Sequence, residues 1–395
     1  MPKPKGMDTP EQLHAAALTH LDTLIGFDTT SRDSNLRLIE YVEAFLRAQG
    51  VASRRVANAE GTKANLYATV GPVVAGGVVL SGHTDVVPVD GQAWSSDPFV
   101  LTRRGDTLFG RGTCDMKGFL ALALAAVPGF ARGETKRPIH LAFSYDEEIG
   151  CLGAPSMIRE LVTELPAPLA VIVGEPTSME VVSGHKGIST WRVTVTGHEA
   201  HSSLTHLGLS ANMIAIELME RLRQIAVELA RHGDPASPYH PPHATLTVGL
   251  MQGGTAVNIL ARECTFTFDL RTPPGQDPDQ IIVPFLDACE TAHRMARERF
   301  PGSGVAVIRR SATPSFAPEP DGAAETLARR LAGDNGPTRA AAYAAEAGQF
   351  QGAGFSTIIC GPGSIEQAHQ ADEFITLAQM ERGAAFMARL AEAMM

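Results

Sequence analysis

Val78-Val-Leu-Ser-Gly-His83-Thr-Asp85 is an apolar run of strand length that ends in two side chains able to bind a metal. A run that is apolar throughout is typical of a strand in a parallel sheet covered on both faces. Taken alone, His83 and Asp85 are more simply explained as a hydrogen-bonded core histidine and a turn aspartate. The segments that follow favour a functional site instead.

Later apolar strands also end in acidic residues. Ile139–Tyr145 is followed by Asp146-Glu147-Glu148, and Leu169–Val173 is followed by Gly174-Glu175. Helical segments lie between the strands, so the order predicts a parallel sheet with right-handed crossovers. Ligands bind beyond the carboxyl ends of such strands. We therefore expect these polar side chains to converge on one crevice.

A cluster of carboxylates needs a cation, because like charges repel and burial removes their hydration. Zinc binds histidine nitrogen and carboxylate oxygen, and two zincs ~3.5–4 Å apart need a bridging carboxylate with two further ligands each. His83 and a distant downstream histidine would be terminal ligands, as would Glu148 and Glu175, and Asp115 would be the bridge. One glutamate of the Glu147-Glu148 pair then stays free to take a proton from water.

Asp85 follows His83 by two residues, which is too close for an easy independent ligand. It is well placed to accept a hydrogen bond from the second imidazole nitrogen of His83, and such a partner fixes the tautomer. The spacing therefore favours a dinuclear metal hydrolase.

The middle of the chain has a different character. Ser189–Thr196 alternates polar and apolar residues, which is typical of an antiparallel strand with one wet face. The elements that follow give the order β-α-β-β-α-β of a ferredoxin-like unit. We predict a first part of a catalytic domain over residues 1–186, an inserted domain over 187–311 and the second catalytic part over 312–395.

Composition argues against several classes of partner. The 395 residues carry a net charge of −10, and we find no basic cluster for nucleic acid or an anionic membrane. Five scattered cysteines indicate reduced thiols. No apolar segment approaches the ~18 residues of a membrane span, and no apolar run follows the basic N-terminus. We expect a cytoplasmic protein that acts on small molecules.

Five runs of the sequence carry a further signal: Ser81–Pro88, Gly110–Gly118, Asp146–Gly150, Gly174–Thr177 and Ala368–Glu373. Together they resemble the co-catalytic dizinc amidohydrolase and metallopeptidase family. The resemblance covers nearly the whole chain and implies an α/β, zinc-peptidase-like catalytic domain interrupted by a ferredoxin-like α+β dimerisation domain, hence a homodimer. It also implies two Zn²⁺ ions, with Co²⁺ as a substitute. Glu147 would be the general base and Asp85 the partner of His83. The implied ligands are His83, Asp115, Glu148, Glu175 and His369.

The resemblance also assigns residues around the substrate. A histidine of the inserted domain polarises the scissile carbonyl, and His201 in Gly197-His-Glu-Ala-His201 matches it; the simpler alternative is a surface-loop histidine. Asn258 and Arg271 match substrate-contact positions, and an arginine can pair bidentately with a carboxylate. Arg271 could equally be a salt-bridged strand residue. Gly363 is the remaining candidate for substrate contact.

Within the family, the runs Ala345–Phe350 and Cys360–His369 resemble the branch that hydrolyses N2-acetyl-L-ornithine to L-ornithine and acetate in arginine biosynthesis. Ala371 stands where a proline is usual, and Cys114 stands where small residues also occur, but neither change removes a ligand. The alternatives within the class are another N-acyl amino acid deacylase and an N-succinyl-diaminopimelate desuccinylase.

Two alternatives come from other classes. A metal-free scaffold has no reason to keep a repulsive carboxylate cluster. A redox or nucleotide-binding protein would be expected to carry a glycine-rich phosphate loop after an early strand, and we find none.

Overall fold

The computed structural model describes residues 8–132 and 135–395. They form two compact units: unit 1 holds the described residues up to Gly184 together with Phe316–Arg339 and Ala345–Met395, and unit 2 holds His185–Ser315 and Ala340–Ala344. The five residues from Ala340 group with unit 2, although the predicted second catalytic part includes them. The basic N-terminus, on which the expectation of no export signal partly rests, lies outside the described residues.

An eight-stranded sheet forms the centre of unit 1, and among its residues only His185, Ala340 and Ala341 group with unit 2. Its spatial order is β1-β2-β6-β3-β7-β14-β8-β13. The middle strands β6, β3, β7 and β14 run parallel, as predicted, so their carboxyl ends share one edge. The strands are β1 (Ser53–Ala57), β2 (Ala64–Val70), β3 (Val78–His83), β6 (Ile139–Ser144), β7 (Ala170–Val173), β8 (Val182–His185), β13 (Arg339–Ala341) and β14 (Thr357–Ile359).

The sheet is mixed, so the prediction of a parallel sheet is correct only for its middle. β2 pairs antiparallel with both β1 and β6, and β14 pairs antiparallel with β8. The connection from Ala57 to Ala64 is short, and a connection of this length can form a hairpin but not the crossover that a parallel pair requires.

Six helices of unit 1 are long enough to pack against the sheet or one another. Apolar side chains occupy α3 around its whole circumference, because α1 and α9 pack on it while it also contacts β3. This burial on all sides accounts for the Leu- and Ala-rich sequence of α3. The helices are α1 (Pro10–Ile25), α2 (Leu36–Ala48), α3 (Lys117–Arg132), α4 (Ala154–Glu164), α7 (Ala323–Ala332) and α9 (Leu377–Met394), with the short α8 at Ala347–Gly352.

A small sheet joins two distant parts of unit 1. It contains β4 (Thr102–Arg104), β5 (Thr107–Phe109) and β15 (Phe374–Thr376), in the order β15-β5-β4. The β5–β15 pairing is antiparallel and places Phe374 opposite Phe109. The loop that precedes β15 is thereby held beside the loop that follows β5.

Unit 2 has the ferredoxin-like order of elements. Its strands form an antiparallel sheet in the spatial order β10-β11-β9-β12, and its two helices cover one face with an apolar core. Trp191 stacks on Phe268 in that core, with ring centroids 5.2 Å apart. The elements are β9 (Gly187–Thr196), α5 (Ala211–Arg231), β10 (Thr245–Gly253), β11 (Glu263–Thr272), α6 (Pro278–Arg299) and β12 (Gly304–Thr313).

Across residues 8–132 and 135–395, no helix combines the length and the apolarity that crossing a membrane would take.

Candidate metal centre

The carboxyl edge of the parallel strands in unit 1 carries the predicted ligands. His83 is the last residue of β3 and lies opposite Ser144, the last residue of β6. Glu148 follows β6 by four residues and Glu175 follows β7 by two. Asp115 lies in the turn that enters α3. The topology therefore brings residues from four separate segments to one edge.

His83, Asp115 and Glu175 form one group, here called the buried triplet. Each offers a ligand atom within 4.8 Å of the others. The Nε2 of His83 lies 3.0 Å from Oδ1 of Asp115 and 3.9 Å from Oε1 of Glu175. The three residues are only 0%, 5% and 4% exposed. The strand ends thus form a closed group of one nitrogen and two carboxylates, which is a donor set that zinc accepts.

Asp115, Glu148 and His369 form a second group, here called the open triplet. The Nε2 of His369 lies 3.3 Å from Oδ2 of Asp115 and 3.0 Å from Oε2 of Glu148. The His369 side chain is 52% exposed, and its backbone is left-handed with φ 62°. Asp115 presents Oδ1 to the buried triplet and Oδ2 to the open one, which is the arrangement of a bridging carboxylate.

Burial and mutual repulsion disfavour the charges on the glutamates. The pKa of Glu175 is raised well above its usual value by burial and then by the nearby Asp115 and Glu147. Burial, followed by the charge of Asp115, raises the pKa of Glu148 to about 7. Oε1 of Glu148 and Oε1 of Glu175 are both buried without a hydrogen-bond partner among the described residues. Carboxylate oxygens without donors fit a cation, so both triplets suit a metal ion.

In this structure two histidines supply the positive charge that opposes the carboxylates. Burial disfavours a charged His83, but the hydrogen bond to Asp115 and the surrounding carboxylates raise its pKa well above the usual value. Asp115 is also buried, yet hydrogen bonds from His369 and His83 lower its pKa. Hydrogen bonds to Asp115 and Glu148 raise the pKa of His369 to about 10. A bound metal would replace these protons, since ligand histidines must be neutral.

Asp85 partners His83 through a different atom from the one we predict. The Nδ1 of His83 donates to the backbone carbonyl of Asp85 at 2.9 Å, whereas the nearest carboxylate oxygen lies 3.7 Å away. That carboxylate instead accepts the backbone N–H groups of Glu147 and Glu148 and the Ser31 hydroxyl. The carboxylate of Asp85 therefore orients the two glutamates, while its carbonyl orients the histidine.

Glu147 belongs to neither triplet. Its Oε1 accepts a hydrogen bond from the Cys151 thiol at 3.2 Å. Burial raises its pKa well above the usual value, against the attraction of His83 and with the help of the Glu148 charge. A partly buried glutamate with a raised pKa beside a metal centre is suited to holding a proton.

Glu346 is a further buried carboxylate that the site analysis from sequence does not identify. It is 1% exposed, and its Oε2 accepts a hydrogen bond from Ser81 on β3 at 3.2 Å. Burial raises its pKa to about 7. The signal in the sequence is a single acid within the small apolar run Ala344-Ala-Glu346-Ala. Arg111 and Glu373 are also buried, and they join the loop of Asp115 to that of His369.

The substrate candidates are divided between the units. In unit 2, Ser202 N–H donates to the Asn258 carbonyl at 3.0 Å, so Asn258 lies beside the His201 loop. The Arg271 Nε donates to Asp269 at 3.1 Å, which is the salt-bridged arrangement weighed above. Gly363 lies in unit 1 with φ 83°, and a Cβ there would stand 2.5 Å from the Cys114 sulfur. Close packing against Cys114 therefore accounts for the glycine.

Comparisons with known proteins agree with this geometry. Residues 79–393 match the model of peptidase family M20/M25/M40. The chain is 32% identical to an acetylornithine deacetylase of Myxococcus xanthus, covering 93% of this chain and 95% of the relative. An acetylornithine deacetylase of Proteus mirabilis is also 32% identical, with 92% of each chain covered.

Solved structures share the fold. An M20 family metallo-carboxypeptidase from Sulfolobus solfataricus gives a TM-score of 0.76 at 16% identity and covers 95% of this chain and 98% of its own. Human carnosine dipeptidase 1 gives 0.75 at 15% identity, covering 98% and 99%. The family match and the full-length relatives together show that this chain belongs to peptidase family M20/M25/M40.

Proposed function

We propose that the protein hydrolyses the N-acetyl amide of N2-acetyl-L-ornithine in a metal-dependent reaction and releases L-ornithine and acetate. The observation that carries this proposal is the pair of ligand triplets sharing Asp115, with a partly buried glutamate, Glu147, next to them but in neither. The full-length similarity to acetylornithine deacetylases supports the choice of substrate.

Two Zn²⁺ ions are the proposed cofactor, with Co²⁺ able to substitute. His83 and Glu175 would hold one ion, Glu148 and His369 the other, and Asp115 would bridge them. Zinc bound there would act as a Lewis acid that polarises a carbonyl and makes water more acidic.

Glu147 is the proposed general base. Its carboxylate would take a proton from the attacking water and deliver it to the leaving amine nitrogen, so it must hold that proton between the two steps. The raised pKa of Glu147, which burial causes, is suited to that task. The hydrogen bond from the Cys151 thiol and the Asp85 contact to its backbone N–H restrict where its carboxylate lies.

His201 is the proposed donor to the oxyanion. The Ser203 N–H donates to Nδ1 of His201 at 3.2 Å, so Nδ1 is an acceptor and the proton of a neutral ring lies on Nε2. That tautomer can donate from Nε2 to a developing negative oxygen. Arg271 is the proposed contact for the substrate carboxylate, and Asn258 and Gly363 are proposed as further substrate contacts.

The substrate is tested by steady-state hydrolysis of N2-acetylornithine, N-acetylmethionine and N-succinyl-diaminopimelate by the zinc- or cobalt-loaded protein. A clear preference in kcat/KM for acetylornithine is expected. Preference for another amide would keep the metal chemistry and change the substrate, whereas metal-loaded protein that turns over none of them would refute the proposal.

The base is tested by Glu147→Gln. The amide cannot accept the proton, so kcat should fall about 10²–10⁴-fold while bound metal stays constant. Glu366→Gln makes the same change on the exposed part of the His369 loop and should keep the wild-type rate. Wild-type turnover by Glu147→Gln would assign the base to another residue.

We further propose a homodimer formed through unit 2. Strand β10 is at the edge of its sheet, and its Leu250 and Met251 are 71% and 57% exposed. Unpaired edges with apolar side chains are templates for another chain. Sedimentation velocity should give a dimer that Leu250→Lys with Met251→Lys weakens; a monomer at micromolar concentration would contradict this.

The proposed reaction would place the protein in arginine biosynthesis in the cytoplasm. All five cysteines are buried and none forms a disulfide bond, which suits a reducing compartment.

A further inference from the structure

The carboxylate of Glu373 is buried against the loop that carries Asp115. It is 1% exposed and receives four hydrogen bonds. Oε1 accepts the backbone N–H groups of Cys114 at 2.9 Å and Asp115 at 3.0 Å. Oε2 accepts the N–H of Gly112 at 3.0 Å and the Arg111 Nη1 at 2.8 Å. A single side chain thereby accepts three of the four backbone N–H groups of residues 112–115, and the fourth, that of Thr113, donates to the Gly110 carbonyl.

This contact determines where Asp115 points. The Asp115 backbone N–H is fixed by Glu373, and its side chain presents Oδ1 to the buried triplet and Oδ2 to the open triplet. A rotation of the loop would withdraw one oxygen from each group. Glu373 therefore influences both triplets, although its carboxylate is fully used by the loop and by Arg111.

The same network reaches His369. Arg111 Nη2 donates to the side-chain oxygen of Gln92 at 2.5 Å, and the Gln92 amide nitrogen donates to the His369 carbonyl at 2.9 Å. The Arg111 guanidinium lies over the ring of Trp94, with its carbon 5.1 Å from the ring centroid. The Trp94 indole N–H donates to the same Gln92 oxygen at 3.1 Å. The buried guanidinium thus connects the loop of Asp115 to the backbone of His369.

We propose that Glu373 is a positioning residue for the metal centre, that it holds Asp115 in the orientation that serves both triplets, and that Arg111 and Gln92 extend this support to His369. The inference rests on the proposed metal centre. A purely structural role for Glu373 would lower stability alone, whereas a positioning role also predicts which metal positions each substitution weakens.

The test measures metal binding by isothermal titration calorimetry with Zn²⁺ and by the visible absorption spectrum of the Co²⁺-loaded protein. In Glu373→Gln an NH₂ group replaces one oxygen and faces backbone donors, so the 112–115 loop must shift. Both metal affinities should fall about 10–100-fold, and the cobalt spectrum should change. In Gln92→Met the Glu373 contacts remain, but the hydrogen bond to the His369 carbonyl is lost. Only the metal affinity of the open triplet, which contains His369, should therefore fall. Glu366→Gln is the matched control and should bind both ions like the wild type.

The outcomes separate the two proposals. Wild-type protein that binds no zinc would refute the metal centre itself. The positioning role alone would be refuted by a different pair of results. The wild type would bind two ions, and a folded Glu373→Gln would bind both as tightly and give the same cobalt spectrum. If Glu373→Gln does not fold, Arg111→Lys replaces it in the test, because it keeps the charge but loses the forked contact to Glu373 and Gln92. Unchanged metal affinities and an unchanged cobalt spectrum in that variant would equally overturn the proposal.

Discussion

The two triplets share Asp115 but differ in how the chain builds them. The buried triplet takes His83 from a strand end and Glu175 from just beyond another, and both are nearly inaccessible to water. The open triplet depends on His369, a half-exposed residue with a left-handed backbone in a loop. Rigid strand ends hold ligands more exactly than loops do. The comparison teaches that two positions with similar ligands need not bind metal equally well.

The largest effect should come from the residue that the two triplets share. Asp115→Asn keeps the size of the side chain but removes the charge that faces both positions. Bound metal should fall at both, and kcat/KM should fall about 10³-fold or more, since the Lewis-acid contribution of several kcal/mol is lost. Metal analysis after dialysis, together with kinetics, measures this. A variant that retained two tightly bound ions would show that Asp115 is not a bridge.

A smaller difference should separate His83→Ala from His369→Ala. The first removes a ligand from the buried triplet and should abolish the tighter of two binding steps. The second should remove only the weaker step and leave one ion bound. Titration with a zinc chelator, followed by metal content and activity, should show two phases in the wild type and one in His369→Ala. If His369→Ala lost both ions, the two positions would be of equal strength.

The smallest effect is a pH dependence that appears only without metal. The pKa of Glu148 is raised from 4.5 to about 7, so between these values the unfolded chain has lost a proton that the folded chain keeps. In protein stripped of metal by a chelator, this difference contributes about 3 kcal/mol to the free energy of unfolding below pH 4.5. That contribution of Glu148 should be lost as the pH rises to 7. The raised pKa of His369 should extend the decline toward alkaline pH.

Urea denaturation at several pH values measures this effect. Glu148→Gln should make the fall between pH 4.5 and 7 smaller without removing it, because the pKa of Glu346 is also raised to about 7. Zinc should likewise reduce the decline in the wild type. Stability of the chelated protein that rises over this interval would contradict the assignment.

Much of the fold and the meeting of the ligands follow from local sequence. Alternating polar and apolar residues, or continuous apolar runs, identify most strands. Because the carboxyl ends of parallel strands share one edge, His83, Glu148 and Glu175 are expected there. The antiparallel flanks do not follow, because they depend on which strands pair, and β2 joins β6 rather than the neighbouring β3.

The finer connections of the site are not readable from spacing. Asp85 offers both a carbonyl and a carboxylate to His83, and only the geometry of the turn selects the carbonyl. The contact between Glu373 and the backbone of Asp115 spans 258 residues, and Glu346 meets Ser81 across 265. Which of the many acids makes such a contact is decided by tertiary packing, and one sequence carries no local pattern for it.

The pairing of β5 with β15 has a consequence for synthesis of the chain. The segment that ends in β15 supplies both His369 and the support for Asp115, and it is made after all of unit 2. Until it leaves the ribosome, the nascent protein holds the acidic cluster of unit 1 without its last histidine and without the contacts that Glu373 makes to the loop of Asp115. Assembly of the metal centre is thus postponed to the end of translation, and a chain interrupted before residue 369 would carry the large sheet but no complete site.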